Sequence, residues 1–221
     1  MKKAMLMMLT MTCPMFALDV GLGIAGSAGI GYSRWKFNVY DEEGNHLATH
    51  LDSWEPVFGT GPSLSIWFTR NIGLKTGIQY ARTRYNYTYD YASPSDAVEL
   101  VWDYDNLVIP VALMASVSSG NAKFLVGAGF TVVKQTSGRM GGGLIWGERD
   151  DVDPLPDSLL ATKFVSNGII GAEFRVGRFG LTPSLAYING LHGLDRNLWA
   201  DISTHHLIFN MDVFYYPFLS R

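Results

Sequence analysis

The chain alternates between apolar and small or polar residues over most of its length. Across 167–187, Gly168, Ile170, Ala172, Phe174 and Val176 share one face of an extended strand, with Asn167, Gly171, Glu173 and Arg175 on the other. Gly177-Arg178 reads as a tight turn. Phe179, Leu181, Pro183, Leu185 and Tyr187 then resume the apolar stripe, opposed by Gly180, Thr182, Ser184 and Ala186. Alternation at period two on both sides of a two-residue glycine turn predicts a β-hairpin.

The same pattern recurs along the chain. A first strand sets Val20, Leu22, Ile24, Ala28, Ile30 and Tyr32 against Gly21, Gly23, Ala25, Ser27, Gly29 and Gly31. Its phase slips near Arg34, where Trp35, Phe37 and Val39 take over, as at a bulge or at the edge of the buried zone. A second strand carries Phe58, Leu64, Ile66 and Phe68, and a third Ile72, Leu74, Thr76, Ile78 and Tyr80, with Arg70-Asn71 as the turn between them. The third runs on out of phase into Tyr85, Tyr87, Tyr89 and Tyr91. The fourth strand spans Leu107 to Val117, the fifth Phe124 to Val132, the sixth and seventh form the hairpin, and the eighth runs Leu207 to Tyr215. Connections after strands two, four and six are short. Those after one, three, five and seven are long and polar: Asp41–Glu55, the stretch around Ser93–Asp96, Ser137–Ala161, and His192–Asp201. Each apolar stripe covers about 10 residues, the length a tilted strand needs to cross a bilayer.

Eight alternating strands fit two kinds of barrel. A soluble one turns its apolar stripes inward around a ligand, and a transmembrane one turns them toward lipid. Gly21, Gly23, Ala25, Ser27, Gly29 and Gly31 make an improbable aqueous surface, because soluble surfaces are about 25–35% charged. As lumen residues they suit a narrow interior. The stripes hold no Asp, Glu, Lys or Arg, each of which would cost roughly 2–4 kcal/mol near the bilayer midplane. Aromatic residues bracket them: Tyr32, Phe58, Tyr80, Phe130, Phe164 and Tyr187 at an extracellular rim, Phe68, Phe124, Phe179 and Tyr215 at a periplasmic one. Such girdles belong at membrane interfaces. The expected fold is all-β, an eight-stranded antiparallel up-and-down transmembrane β-barrel. Strand eight closes onto strand one, since lipid satisfies no open edge.

Composition narrows the picture. Of 221 residues 17% are charged, 48% are hydrophobic, and net charge is −3, with no basic stripe for nucleic acid. Met1-Lys2-Lys3, the apolar run Ala4–Met11 and Pro14–Ala17 form a signal peptide over residues 1–17, leaving 18–221 as the barrel domain. The single cysteine, Cys13, lies in that leader, where Thr12 fits poorly with lipidation. No disulfide framework remains.

Four segments resemble the PorT-like branch of small outer-membrane barrels, the broad group that includes OmpA- and OmpX-type barrels. They are Tyr104–Leu113, Phe124–Phe130, Gly168–Arg175 and Leu185–Leu191. The resemblance implies a fold and says little of activity. Such barrels usually end on an aromatic; here Phe218 is followed by Leu219-Ser220-Arg221, so the assembly machinery is expected to read Phe218 or Tyr216 internally.

Lys75, Gln79, Glu173, Arg175, Asn210 and Asp212 project into the proposed lumen, where two cations and two anions should pair as a polar plug. Asp150, Asp151, Asp153 and Asp157 lack the glycine and glutamate of a calcium loop and read as a solvated segment. His46 and His50 lie four apart in an expected loop, a weak metal motif. Ser203 and His205 share a face, as a nucleophile and base must, with no evident carboxylate to orient them. No cofactor or metal is expected. The sequence thus predicts a monomeric, non-enzymatic bacterial outer-membrane protein with four extracellular loops, acting as a structural or surface-interaction protein. Its partners are membrane lipids, the assembly machinery and an extracellular ligand held by the loops. The alternatives are an OmpW-like conduit for small hydrophobic molecules and a lipid A-modifying enzyme.

Overall fold

A computed structural model describes residues 19–40, 46–89, 98–119, 122–144, 153–154, 162–189 and 200–218. The strands are β1 (Asp19–Tyr40), β2 (His46–Trp67), β3 (Ile72–Gly77), β4 (Gln79–Tyr89), β5 (Val98–Ser119), β6 (Ala122–Leu144), β7 (Asp153–Pro154), β8 (Thr162–Val176), β9 (Phe179–Asn189) and β10 (Ala200–Phe218). β3 and β4 are two halves of one wall, parted at Ile78, whose N–H donates to the Pro62 carbonyl at 3.0 Å. β7 is a two-residue addition to the edge of β6. Eight antiparallel walls therefore remain, and β1 pairs with both β2 and β10, which closes the barrel.

The turns form where sequence chemistry puts them. Gly177 takes φ +61°, the left-handed conformation glycine adopts without steric cost. Between β2 and β3 the Thr69 hydroxyl accepts from the N–H groups of Asn71 and Ile72, which holds the bend at Arg70-Asn71.

Orientation follows from burial. Ile24 is 66% exposed, Leu113 60%, Ile170 59% and Val176 81%, whereas Glu173 and Asp212 are 1% and 0% exposed. A water-soluble protein of this size would reverse that order. The apolar stripes form the outer wall, and small, polar and charged residues fill the axis, as the alternation predicts. From Phe179 to Tyr187, a strand rising about 3.3 Å per residue and tilted about 40° climbs roughly 20 Å.

Several connections are shorter than expected. β2 begins at His46 and pairs with β1 from Tyr40↔His46 without a break, so 46–55 is strand, not loop. β6 runs to Leu144, β5 starts at Val98, and β10 starts at Ala200. Polar residues signal a loop only where a strand must hide one face. Beyond the bilayer both faces meet water, and the backbone ladder continues whatever the side chains are. No register shift occurs at Arg34 in either of β1's pairings, so the phase change there marks the end of the lipid zone rather than a bulge. A bulge does occur at Asp105/Asn106, opposite Gln135 and Ser137. The leader with Cys13, the Ser93–Asp96 stretch, Asp150, Asp151, Asp157 and His192 lie outside the described residues.

Candidate functional site: a two-storey lumen

The half of the lumen nearest the short turns carries ion pairs and large side chains, with a cleft of about 310 Å³ beside Asp19, Lys123, Glu173 and Arg175 at its mouth. Asp212 on β10 pairs with Lys75 on β3, with Nζ 2.5 Å from Oδ2. Glu173 on β8 accepts from Arg175 and, at 3.1 Å, from the Tyr216 hydroxyl. Arg175 also reaches Asp19 of β1 at 2.8 Å, and its guanidinium lies 4.0 Å from the centre of the Tyr216 ring. The expected lumen cations and anions are thus paired, Lys75 with Asp212 across strands far apart in sequence and Arg175 with Glu173 within β8.

Aromatic and sulfur side chains complete this storey. Trp67, Met114, Leu125, Phe214 and Tyr216 belong to one buried cluster, and Lys123 Nζ sits 3.1 Å from the Trp67 ring centre. Glycines make room for it. A Cβ on Gly21 would lie 2.6 Å from the Tyr216 ring, and one on Gly180 2.9 Å from the ring's other edge. The tiny face of β1 is thus a mould for the large side chains of β10. Alternation placed Phe214 and Met114 inward. Tyr216 and Trp67 as plug residues were missed, although a glycine-rich strand paired with a strand ending in aromatics was the available signal.

The other storey is open space. A cavity of about 90 Å³ is lined by aliphatic residues including Val57, Val108, Val133, Ile169, Ile188 and Ile208, with Asn167, His206, Asn210 and Gln79 among its polar groups. Ser27 Oγ lies 3.5 Å from Gln79 Oε1. The Asn167 amide donates to the Thr131 hydroxyl at 2.8 Å and to the Phe130 carbonyl at 3.0 Å. Ser33, Ser53, Glu55, Thr204 and His206 are all buried toward this end.

Outside, the aromatic residues stand as two belts. Phe124, Phe179 and Tyr215 are exposed near the short turns, with Phe179 and Tyr215 rings 5.4 Å apart, and Phe68 lies half-buried in the bend after β2. At the opposite end Phe58, Tyr80, Phe130, Phe164 and Tyr187 are exposed and Tyr32 half-buried. Trp54, expected in a loop, joins that belt with its ring 4.8 Å from Tyr32. His205 sits in the same belt, its ring stacked beside Tyr32 and Tyr187 and its Nδ1 2.9 Å from the Tyr187 hydroxyl. Ser203 pairs with Arg34 along the β1–β10 ladder, and its side chain lies outside the described residues.

Beyond the belt, charged residues face outward. The Arg84 guanidinium, at 2.7 and 3.0 Å, holds the Asp103 carboxyl below the usual carboxylate range. Hydrogen bonds from the Tyr80 and Ser137 hydroxyls do the same for Asp105. Among the described residues no three His, Cys, Asp or Glu side chains group as a metal site. His46 and His50 lie on β2, not in a loop.

A closed barrel with an apolar, aromatic-belted exterior and a charged, packed axis defines an integral outer-membrane β-barrel protein. The solved outer membrane protein OprG from Pseudomonas aeruginosa shares the fold: it is 11% identical, the match covers 93% of this chain and 98% of that one, and the TM-score is 0.53. AlkL in DMPC lipid bilayers (13% identical, 94% and 93% covered, TM-score 0.48) and Neisserial surface protein A (12%, 86% and 96%, 0.35) align more loosely. No protein-family model and no curated protein matches the chain.

Proposed function

We propose that this barrel is a sealed, non-enzymatic membrane scaffold that carries extended β-walls and loops on the cell surface. Its role is structural or one of surface interaction through those loops. β1 starts and β10 ends at the short-turn end, which this reading assigns to the periplasm. The protein acts as a monomer, inserted by the outer-membrane assembly machinery and surrounded by membrane lipids. One observation supports the reading: Trp67, Met114, Phe214 and Tyr216 pack in one buried cluster in the periplasmic half of the axis, beside the Lys75–Asp212 and Arg175–Glu173 ion pairs.

Planar-bilayer recording tests it. The parent protein should be silent, and the double variant Phe214→Ala/Tyr216→Ala should conduct, because it removes the two largest rings from the plug. Steady conductance by the parent protein overturns the reading.

The aliphatic cavity above the plug favours a second reading, a conduit for small hydrophobic molecules. Faster entry of a small apolar fluorophore into proteoliposomes than into protein-free vesicles would support it. The enzymatic alternative has its own measurement. Release of fatty acid from lipid A by the parent protein, abolished in Ser203→Ala or His205→Ala, would end the non-enzymatic reading.

A further inference from the structure

We propose that the outer wall over β4, β5 and β6, just beyond the aromatic belt at the long-strand end, binds anionic, phosphate-bearing lipid headgroups. The inference rests on the membrane-barrel reading and is independent of whether the lumen conducts. Arg82 and Arg84 on β4 and Lys134 and Arg139 on β6 are all exposed on this arc. Asp103 and Asp105 lie between them on β5, in register with both neighbours.

The two carboxylates engage only part of this set among the described residues. Asp103 is engaged by Arg84 through two hydrogen bonds and by Arg82 at 3.4 Å. Asp105 accepts instead from two hydroxyls, Tyr80 at 2.5 Å and Ser137 at 2.7 Å. Among the described residues, no carboxylate comes within ion-pair distance of Lys134 or Arg139. The Arg82 side chain is 55% exposed, so its planar donor face remains open. A guanidinium with exposed N–H groups, and on the same arc an ammonium with no ion pair among the described residues, match phosphate oxygens in charge and geometry.

Height above the belt selects the partner. Arg82 stands two residues beyond Tyr80, and Lys134 four beyond Phe130. At about 2.5 Å of climb per residue on a tilted strand, both reach roughly 5–10 Å past the aromatic belt, which is headgroup depth. The far arc differs. There Tyr32, Trp54, Tyr187 and His205 form an aromatic surface, and among the described residues its outward Arg or Lys is Arg34. Lipid binding should therefore be one-sided.

Spin-labelled lipids in reconstituted vesicles provide the test. In phosphatidylcholine vesicles holding the folded full chain, the immobilised fraction of spin-labelled phosphatidic acid should exceed that of spin-labelled phosphatidylcholine. About 1 kcal/mol per interfacial cation corresponds to roughly fivefold each, so the relative association constant should be on the order of tenfold or more at low salt. Arg82→Gln/Lys134→Gln should bring it close to parity, whereas Arg34→Gln should leave it unchanged. Lys134→Gln alone breaks no ion pair among the described residues, so it keeps the test open if the double variant folds poorly; it should lower the preference by a few fold. No preference in the parent protein, a preference that survives the variants, or an equal loss in Arg34→Gln would each overturn the proposal.

Discussion

The two storeys of the lumen are built from the same alternating strands yet carry opposite kinds of interior. Near the short turns, Asp212, Glu173 and Tyr216 are 0%, 1% and 0% exposed, and Trp67, Met114, Phe214 and Tyr216 each lie against a glycine. Further along, Val108, Ile188 and Ile208 line open space. Alternation decides which face a residue occupies, but not whether that face is packed. Packing comes from size complementarity across neighbouring strands: Gly21 against Tyr216, Gly180 against the same ring, Gly73 against Trp67.

The largest break in this contrast comes from the buried ion pair. Asp212→Leu leaves Lys75 without its counter-charge in the packed storey, and removal of one partner of a buried pair typically costs about 3–5 kcal/mol. Denaturant titration of the barrel in lipid vesicles should show that loss, with gel mobility of unheated samples reporting the folded fraction. Lys75→Met combined with Asp212→Leu should recover most of it, because two apolar side chains replace both charges together and leave neither buried alone. If the double variant is as unstable as the single one, the pair is not what stabilises this level.

A smaller effect separates the storeys by volume. Gly21→Leu drives a side chain into the space of the Tyr216 ring and should cost about 1–3 kcal/mol through overpacking. Tyr216→Ala in the same chain should relieve part of that cost, a coupling that a double-mutant cycle measures directly. Val108→Phe grows into the cavity instead and should change stability by less than about 1 kcal/mol. Equal penalties for Gly21→Leu and Val108→Phe would mean that the two levels are packed alike.

This difference explains what could be read from the sequence. Ile24, Leu113 and Ile170 declared the outward face because lipid tolerates no charge there, and the constraint acts on every second residue. Closure of β10 on β1 followed from the same solvent. Lys75, Glu173, Arg175 and Asp212 were visible as lumen charges, since buried ions must balance, whereas Asp19 and Lys123 were missed. The pairings were not visible: Lys75 meets Asp212 and Arg175 meets Asp19 across most of the chain, and alternation carries no register between distant strands. Trp54, His46 and Leu144 fell outside the reading because strands that stand in water lose the apolar stripe that marks them. Nothing in the local pattern around Trp54 distinguishes a solvated strand from a polar loop. Its pairing with Tyr32 does.

The smallest effect belongs to the wall above the belt, where ion pairs meet solvent instead of a packed axis. Arg84 depresses the Asp103 carboxyl, so the pair stabilises the folded state above the ordinary carboxylate pKa of about 3.9 and loses that contribution as pH falls through the lower, folded value. The Arg84 side chain is 53% exposed, which keeps the contribution below about 1 kcal/mol. Unfolding midpoints of the parent and of Arg84→Gln should therefore differ slightly and constantly near neutral pH, then converge as pH drops from about 4 toward 2. Asp212 offers the contrast, because its side chain is 0% and that of Lys75 12% exposed, and the loss in Asp212→Leu should be several times larger. A gap between parent and Arg84→Gln that stays constant down to pH 2 would show that Arg84 acts there through its packing and not through the Asp103 charge.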